Sequence, residues 1–181
     1  KNKDSKNYQT FRKKKEFNNQ LDKCYLLLGK AYFYKKKYTM ANNTFRFIQR
    51  QYAEDEALMT EVSIWLFRSL TEMGRYEEAA RIMDRLDGST LKRKQREMVA
   101  AARTDFYVRQ GMYEQAIPEA ERLVRTCKSI KRKPRYNFLL SQLYVKENQD
   151  GAAKLALKKA TRFNFNYEMA VSYTHLRAHE T

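Results

Sequence analysis

Apolar side chains recur along this chain at steps of three and four residues, with small residues at regular places among them. Tyr25, Leu28, Gly29 and Tyr32 share one helical face. After a short basic stretch, Ala41, Phe45 and Ile48 share another. The alternation continues with Leu66, Leu70, Gly74, Tyr76, Ala79, Met83 and Leu86, then with Ala100, Tyr107, Gly111, Tyr113, Ala116, Ala120 and Leu123. A last stretch carries Phe138, Leu140, Ser141, Tyr144, Ala153, Leu157 and Ala160. Each stretch reads as two antiparallel helices joined by a turn, with one apolar face apiece. The spacing predicts eight main helices and no sheet.

The turns share a phrase. It runs Tyr38-Thr39-Met40-Ala41, then Gly74-Arg75-Tyr76-Glu77-Glu78-Ala79, then Gly111-Met112-Tyr113-Glu114-Gln115-Ala116, with a worn copy at Asn148 to Ala153. Alanines 41, 79, 116 and 153 are separated by 38, 37 and 37 residues. A period of this length means a stack of similar units. The predicted units lie near 18–53, 54–88, 89–130 and 131–168 within an array over 18–170, with turns near 35–37, 74–75, 111–112 and 148–150. The expected fold is all-α, a right-handed α-α superhelical solenoid of about four helix-turn-helix units. Gly29 and Ala41 mark a close helix crossing, with Tyr25, Tyr32 and Phe45 filling around it, and Trp65 is expected among the largest buried side chains. Gly88 is expected to end a helix and Ser89 or Thr90 to cap the next. Pro118 falls inside a helix and removes one backbone hydrogen bond, whereas Pro134 suits a first helical position. Residues 1–17, with Tyr8, Phe11 and Phe17, form either a helix over the first unit or a frayed end.

Composition adds a charge to this picture. The chain of 181 residues has a formal net charge of +16. Its basic residues gather at 12–15, 35–37, 92–96 and 131–135. A basic surface suits an acidic partner, either nucleic acid or an anionic membrane. These runs, however, sit at the joins between helices and are not interleaved with stacking aromatics, so they read first as solvated turns. No apolar run is long enough to span a membrane. The chain starts with neither Met nor a lipid-accepting Cys and reads as an internal piece of a longer protein. Cys24 and Cys127 stand 103 residues apart, each among apolar residues at helical spacing. Both are expected as buried free thiols, since no CxxC pair is present.

Catalytic chemistry is thin. There is no GxSxG, no phosphate-binding Gly-rich loop and no HExxH. The acidic pairs Glu77–Glu78 and Asp84–Asp87 fall on helix surfaces. The two histidines, His175 and His179, lie four apart beside Glu180, which is metal-ligand spacing, but no third ligand is arranged to complete a site. They also belong to Ser172–Thr181, SYTHLRAHET, which resembles the peptide made when a sequencing adapter is translated at the edge of an assembled read. Residues 171–181 are therefore expected to be a non-native tail. No enzyme activity, cofactor, metal or small-molecule substrate is expected.

Small residues set against large ones at this spacing resemble the tetratricopeptide repeat (TPR). A narrower resemblance lies in Leu21–Tyr38 (LDKCYLLLGKAYFYKKKY), Met112–Val124, Arg135–Tyr144 and Phe163–Ala170. These tracts are similar to the TPR lipoproteins of Bacteroidota, of the SprE/PorW kind, associated with gliding motility and type IX secretion. The resemblance implies a non-enzymatic scaffold on the periplasmic side of the outer membrane. Its implied partners are secretion and motility components of the envelope. The family's N-terminal lipid-attachment region is missing here.

Stacked helix pairs make a concave groove lined by the first helix of each unit. Its expected lining is Lys23, Lys30, Phe33 and Tyr34 from the first unit, Arg68 and Glu72 from the second, Asp105 and Arg109 from the third, and Arg135, Phe138, Gln142 and Lys146 from the fourth. Aromatics mixed with cations suit a protein or peptide partner of acidic character. Phe33 and Phe138 have a second reading, as packing between units. An RNA-binding helical repeat is the alternative function; the lining positions show no base-reading code, which makes nucleic acid the lesser expectation.

Overall fold

The computed structural model describes residues 20–87 and 90–161. They form eight helices and no strand: α1 (Leu21–Tyr34), α2 (Tyr38–Gln51), α3 (Glu56–Glu72), α4 (Tyr76–Asp87), α5 (Arg93–Arg109), α6 (Tyr113–Thr126), α7 (Lys133–Lys146) and α8 (Asp150–Thr161). Consecutive helices pair as α1/α2, α3/α4, α5/α6 and α7/α8, and successive pairs stack into a helical solenoid.

The four turns inside the units are built alike, which explains the recurring phrase. In each, one residue has positive φ: Lys36 (58°), Gly74 (71°), Gly111 (72°) and Asn148 (56°). The next N–H then reaches back across the turn: Lys37 to the Tyr32 carbonyl, Arg75 to Leu70, Met112 to Tyr107 and Gln149 to Tyr144, at 2.8–2.9 Å. This closure satisfies carbonyls that the ending helix leaves open. Glycine supplies the left-handed residue twice and asparagine once; Lys36 adopts it against its Cβ, at a cost of about 1–2 kcal/mol. The second helix starts three residues before the phrase alanine in every unit. Ala41, Ala79, Ala116 and Ala153 are each 0 % exposed.

Large side chains fill the spaces that the small ones open. A Cβ on Gly29 would stand 2.4 Å from Cε1 of Phe45, so the ring lies directly on the glycine backbone. Trp65 locks the first unit to the second. Its ring meets Phe33 at 5.4 Å and stacks on Phe45 at 6.4 Å. Phe106 does the same for the next join, against Phe67 at 5.4 Å and Tyr76 at 5.8 Å. Buried Arg103 is held between units, 3.5 Å from Glu119 and donating to the Met83 carbonyl at 3.3 Å. Buried Glu97 faces Arg132 at 2.9 Å, tying α5 to the start of α7. The buried hydroxyls of Ser69, Thr71 and Thr104 donate to carbonyls four residues back in their own helices.

Several local expectations change. Leu28 is exposed, and Leu26 takes its inward place beside Gly29 and Phe33. Cys24 is exposed, not buried, because it lies on the side of α1 with Leu27 and Leu28, away from α2; Cys127 is buried as expected. Thr90 does not cap α5, which begins at Arg93. Lys92 precedes it, and the Lys92 N–H donates to Gln95 Oε1 at 2.8 Å. Asp55 provides a side-chain cap instead, accepting from the Leu58 N–H at 2.9 Å. Pro118 lies inside α6 as expected, and Pro134 is the second residue of α7. The expectations for residues 1–17, Gly88, Ser89, His175, His179 and the tail fall outside the described residues.

Candidate partner-binding face

The first helices of the units, α1, α3, α5 and α7, carry every residue expected to line the groove. The stack sorts these residues into three groups. The first combines Lys30, Phe33 and Tyr34 of α1 with Arg68 of α3. Phe33 is buried between the units, so its ring is packing and not open surface. Tyr34 is 70 % exposed and sets its ring edge-on to Trp65 at 5.7 Å. The Arg68 guanidinium lies over Trp65 at 4.4 Å and over Phe33 at 4.7 Å. Lys30 leans over Trp65 at 5.6 Å while its ammonium pairs with Glu61 at 2.6 Å. Lys23 stands apart on α1, donating to Gln20 at 3.0 Å.

The second group joins three units. Arg109 of α5 donates to Glu72 of α3 at 2.7 Å and to Asp105 of its own helix at 3.3 Å. Tyr38, at the start of α2, also hydrogen-bonds Glu72. Burial raises the Tyr38 phenol above its usual range, and the Glu72 carboxylate adds to the effect. Burial works against the charge on Arg109, but Asp105 and Glu72 outweigh it and hold the guanidinium above its ordinary value. Arg109 is thus a fastened residue, with its charge already answered inside the array.

The third group is Arg135, Phe138, Gln142 and Lys146, in line on α7. Arg135, Gln142 and Lys146 are exposed. Phe138 is half-buried against Leu157 and Ala160 of α8, which is packing within its own unit. Among the described residues no hydrogen bond, ion pair or ring contact links this group to the other two. The lining reading did not include Trp65, Tyr38 or Glu61, on which the first two groups are organised. Tyr38 had a signal, since it stands with Tyr76 and Tyr113 at the first position of its helix. Trp65 was legible as core; its outward neighbours were not.

A second hollow lies away from this face. A cavity of about 810 Å³ opens between α6, α7 and α8, with Val124, Ile130 and Pro134 on its walls and Lys133 and Lys159 at its rim. Cys127 lines it too, and burial pushes this thiol up, opposite to the lowering that activates a nucleophilic cysteine. Among the described residues no cluster of three or more His, Cys, Asp or Glu side chains could hold a metal ion. No helix there is long and apolar enough to cross a membrane.

Comparison with known proteins bears on the fold. Residues 134–167 match the family model described as tetratricopeptide repeat. No curated protein matches the chain in sequence. Among solved structures, the chain is similar to "MamA 41-end from Desulfovibrio magneticus RS-1", with a TM-score of 0.66, 16 % identity, and 91 % of this chain and 88 % of that one covered. A second, "MamA RS-1 ArsTM double mutant", gives a TM-score of 0.66 at 15 % identity, covering 91 % and 87 %. Identity at this level speaks for shape alone. The matched segment is α7, α8 and the residues just after, so the worn fourth copy of the phrase carries a tetratricopeptide repeat, and the chain around it has the fold of a helical solenoid.

Proposed function

We propose that this chain is a non-enzymatic protein-binding scaffold whose inner face, built by α1, α3, α5 and α7, receives a segment of an acidic protein partner. The tetratricopeptide repeat and the solenoid fold support the general role. The observation that carries the specific reading is that exposed Tyr34 and the cation Arg68 are both set against Trp65 on that face, an aromatic and an arginine around one indole, the composition of an interface hot spot. The resemblance of Leu21–Tyr38 to Bacteroidota TPR lipoproteins supports an envelope setting, on the periplasmic side of the outer membrane and in gliding motility or type IX secretion. The alternative, RNA binding, is favoured by the charge of +16 alone.

The test is capture from a Bacteroidota membrane extract with three immobilised proteins. These are the parent, an inner-face variant (Tyr34→Ala with Arg135→Glu) and a control variant (Arg81→Glu) at an exposed position of α4, a second helix that does not build that face. The expected result is a protein band retained by the parent and Arg81→Glu and lost with the inner-face variant. Equal retention by all three would show that the inner face is not the docking surface. Binding of random RNA whose affinity falls steeply with salt would favour the alternative.

A further inference from the structure

The inner face holds acids as well as cations, and most have answered one another. Glu61 is taken by Lys30 at 2.6 Å. Glu72, one helical turn beyond Arg68, is taken by Arg109 at 2.7 Å and by the Tyr38 hydroxyl. Arg68 is different. Among the described residues it has no carboxylate within ion-pair distance and no hydrogen-bond acceptor, yet it is not loose. Its guanidinium is held by two aromatic rings from different units, Trp65 at 4.4 Å and Phe33 at 4.7 Å. Both rings are buried and fixed by further ring contacts, Phe33 with Tyr38 at 5.5 Å and Trp65 with Phe45 at 6.4 Å.

A guanidinium held against rings through its carbon still presents its N–H donors along the edges of a planar fork, where a carboxylate can accept two parallel hydrogen bonds. Its rotamer freedom is already spent in folding, so a ligand does not have to freeze it. Tyr34, 70 % exposed and edge-on to the same indole, adds an aromatic surface for an apolar side chain next to that carboxylate. The geometry points to Arg68, Trp65 and Tyr34 as a carboxylate-recognition site for an Asp or Glu side chain of an extended partner segment, with a neighbouring apolar residue of that segment on Tyr34. This deepens the scaffold reading and rests on it, naming Arg68 as the anchor and assigning Arg109 a structural part. Among the described residues of the face, Lys23 and Lys146 offer point charges and Arg135 an exposed fork, whereas the fork of Arg68 is held in advance against two rings.

The chain contains one tryptophan, and it is Trp65. Its emission therefore reports on whatever engages Arg68. The probes are the acetylated, amidated hexapeptide (Glu-Leu)₃ and its neutral counterpart (Gln-Leu)₃, titrated to about 10 mM, a range that reaches weak single-site affinities. The expected result is a saturable change in Trp65 emission with the Glu peptide, at least about tenfold tighter than with the Gln peptide. Arg68→Gln should abolish that preference, and Arg68→Lys should keep the charge but lose at least about threefold in affinity, because an ammonium has no fork. Tyr34→Ala should weaken both peptides alike. Circular dichroism checks that each variant is folded; if Arg68→Gln is not, Arg68→Lys decides. No saturable change with the Glu peptide, equal affinity for the two peptides, or unchanged discrimination in the folded Arg68 variants would overturn the site. A response to oligouridylate in place of the Glu peptide would also overturn it, in favour of nucleic acid. Capture of a partner by the inner face in an extract, with no peptide response here, would leave the scaffold standing and remove Arg68 as its anchor.

Discussion

Single residues in this array are held to tight tolerances where helices cross. Gly29 is the sharpest case. Replacing it with alanine improves helix propensity by roughly 1 kcal/mol. The new Cβ, however, would stand 2.4, 2.8 and 2.9 Å from three atoms of the Phe45 ring. That ring is completely buried and stacked on Trp65, so it has nowhere to move. Overpacking of this kind costs typically about 1–3 kcal/mol. Gly29→Ala is therefore expected to lower the urea midpoint, and shortening the opposing ring, in Gly29→Ala with Phe45→Leu, to recover part of the loss. A midpoint that rises in the single variant would show that the crossing is looser than its geometry. Cys24 illustrates the opposite case. Its apolar neighbours suggested burial, but Leu27 and Leu28 beside it are exposed too, so apolar company along a helix does not tell which side another helix covers.

At the scale of elements, polar links between neighbouring units are the features with a measurable pH signature. The Tyr144 hydroxyl of α7 donates to Glu121 of α6 at 2.6 Å, across the third and fourth units. Burial first, then the Glu121 carboxylate, pushes this phenol up to about 12 from its ordinary 10.0. Between those two values the unfolded chain has lost the proton and the folded chain still holds it. Stability from this group is thus complete below pH 10 and is lost as pH rises towards 12. The expected outcome is a urea midpoint that falls more steeply for the parent than for Tyr144→Phe across this window, with the two converging at its upper end. Parallel curves would mean that Tyr144 does not hold its proton against Glu121. The half-exposed pair between α2 and α4, Arg46 with Glu78 at 3.1 Å, should contribute about 1 kcal/mol or less once solvent screening is counted.

For the whole molecule, stability should vary along the stack, because each unit gains from its neighbours alone. Helix α3 is covered by α1 and α2 on one side and by α4 and α5 on the other, and buries Val62, Ile64, Trp65, Leu66, Phe67 and Leu70. Helix α8 packs on α7 among the described residues, and its buried set is Ala153, Ala156, Leu157 and Ala160. Alanines bury little apolar surface, and hydrophobic stabilisation follows that area. Native-state hydrogen exchange is expected to protect α3 amides at least about tenfold more than α8 amides, through local opening at the α8 end. Uniform protection along the chain would mean that the array opens as one unit.

The amino-acid sequence by itself determined the number of helices, their pairing and the position of each turn. These follow from local physics: steps of three and four residues, a left-handed residue at each turn, and an alanine where paired helices touch. They repeat, so each copy corroborates the others, and even the worn copy at Asn148 keeps the turn closure. The state of each charge on the inner face was legible in the sequence only in part. Along the chain, Arg109 has Asp105 one turn before it in its own helix, a partner legible in the sequence, whereas Arg68 has Ile64 one turn before it and Glu72 one turn after. The stacking of units supplies the rest, because these further partners lie about one repeat away: Glu72 is 37 residues from Arg109, and Phe33, over which Arg68 rests, belongs to the preceding unit. Tertiary structure alone decided that Glu72 goes to Arg109 of the next unit and not to Arg68 of its own helix, and that Arg68 lies against two rings instead. Helical periodicity is a property of neighbours in sequence; the pairing of charges is a property of neighbours in space.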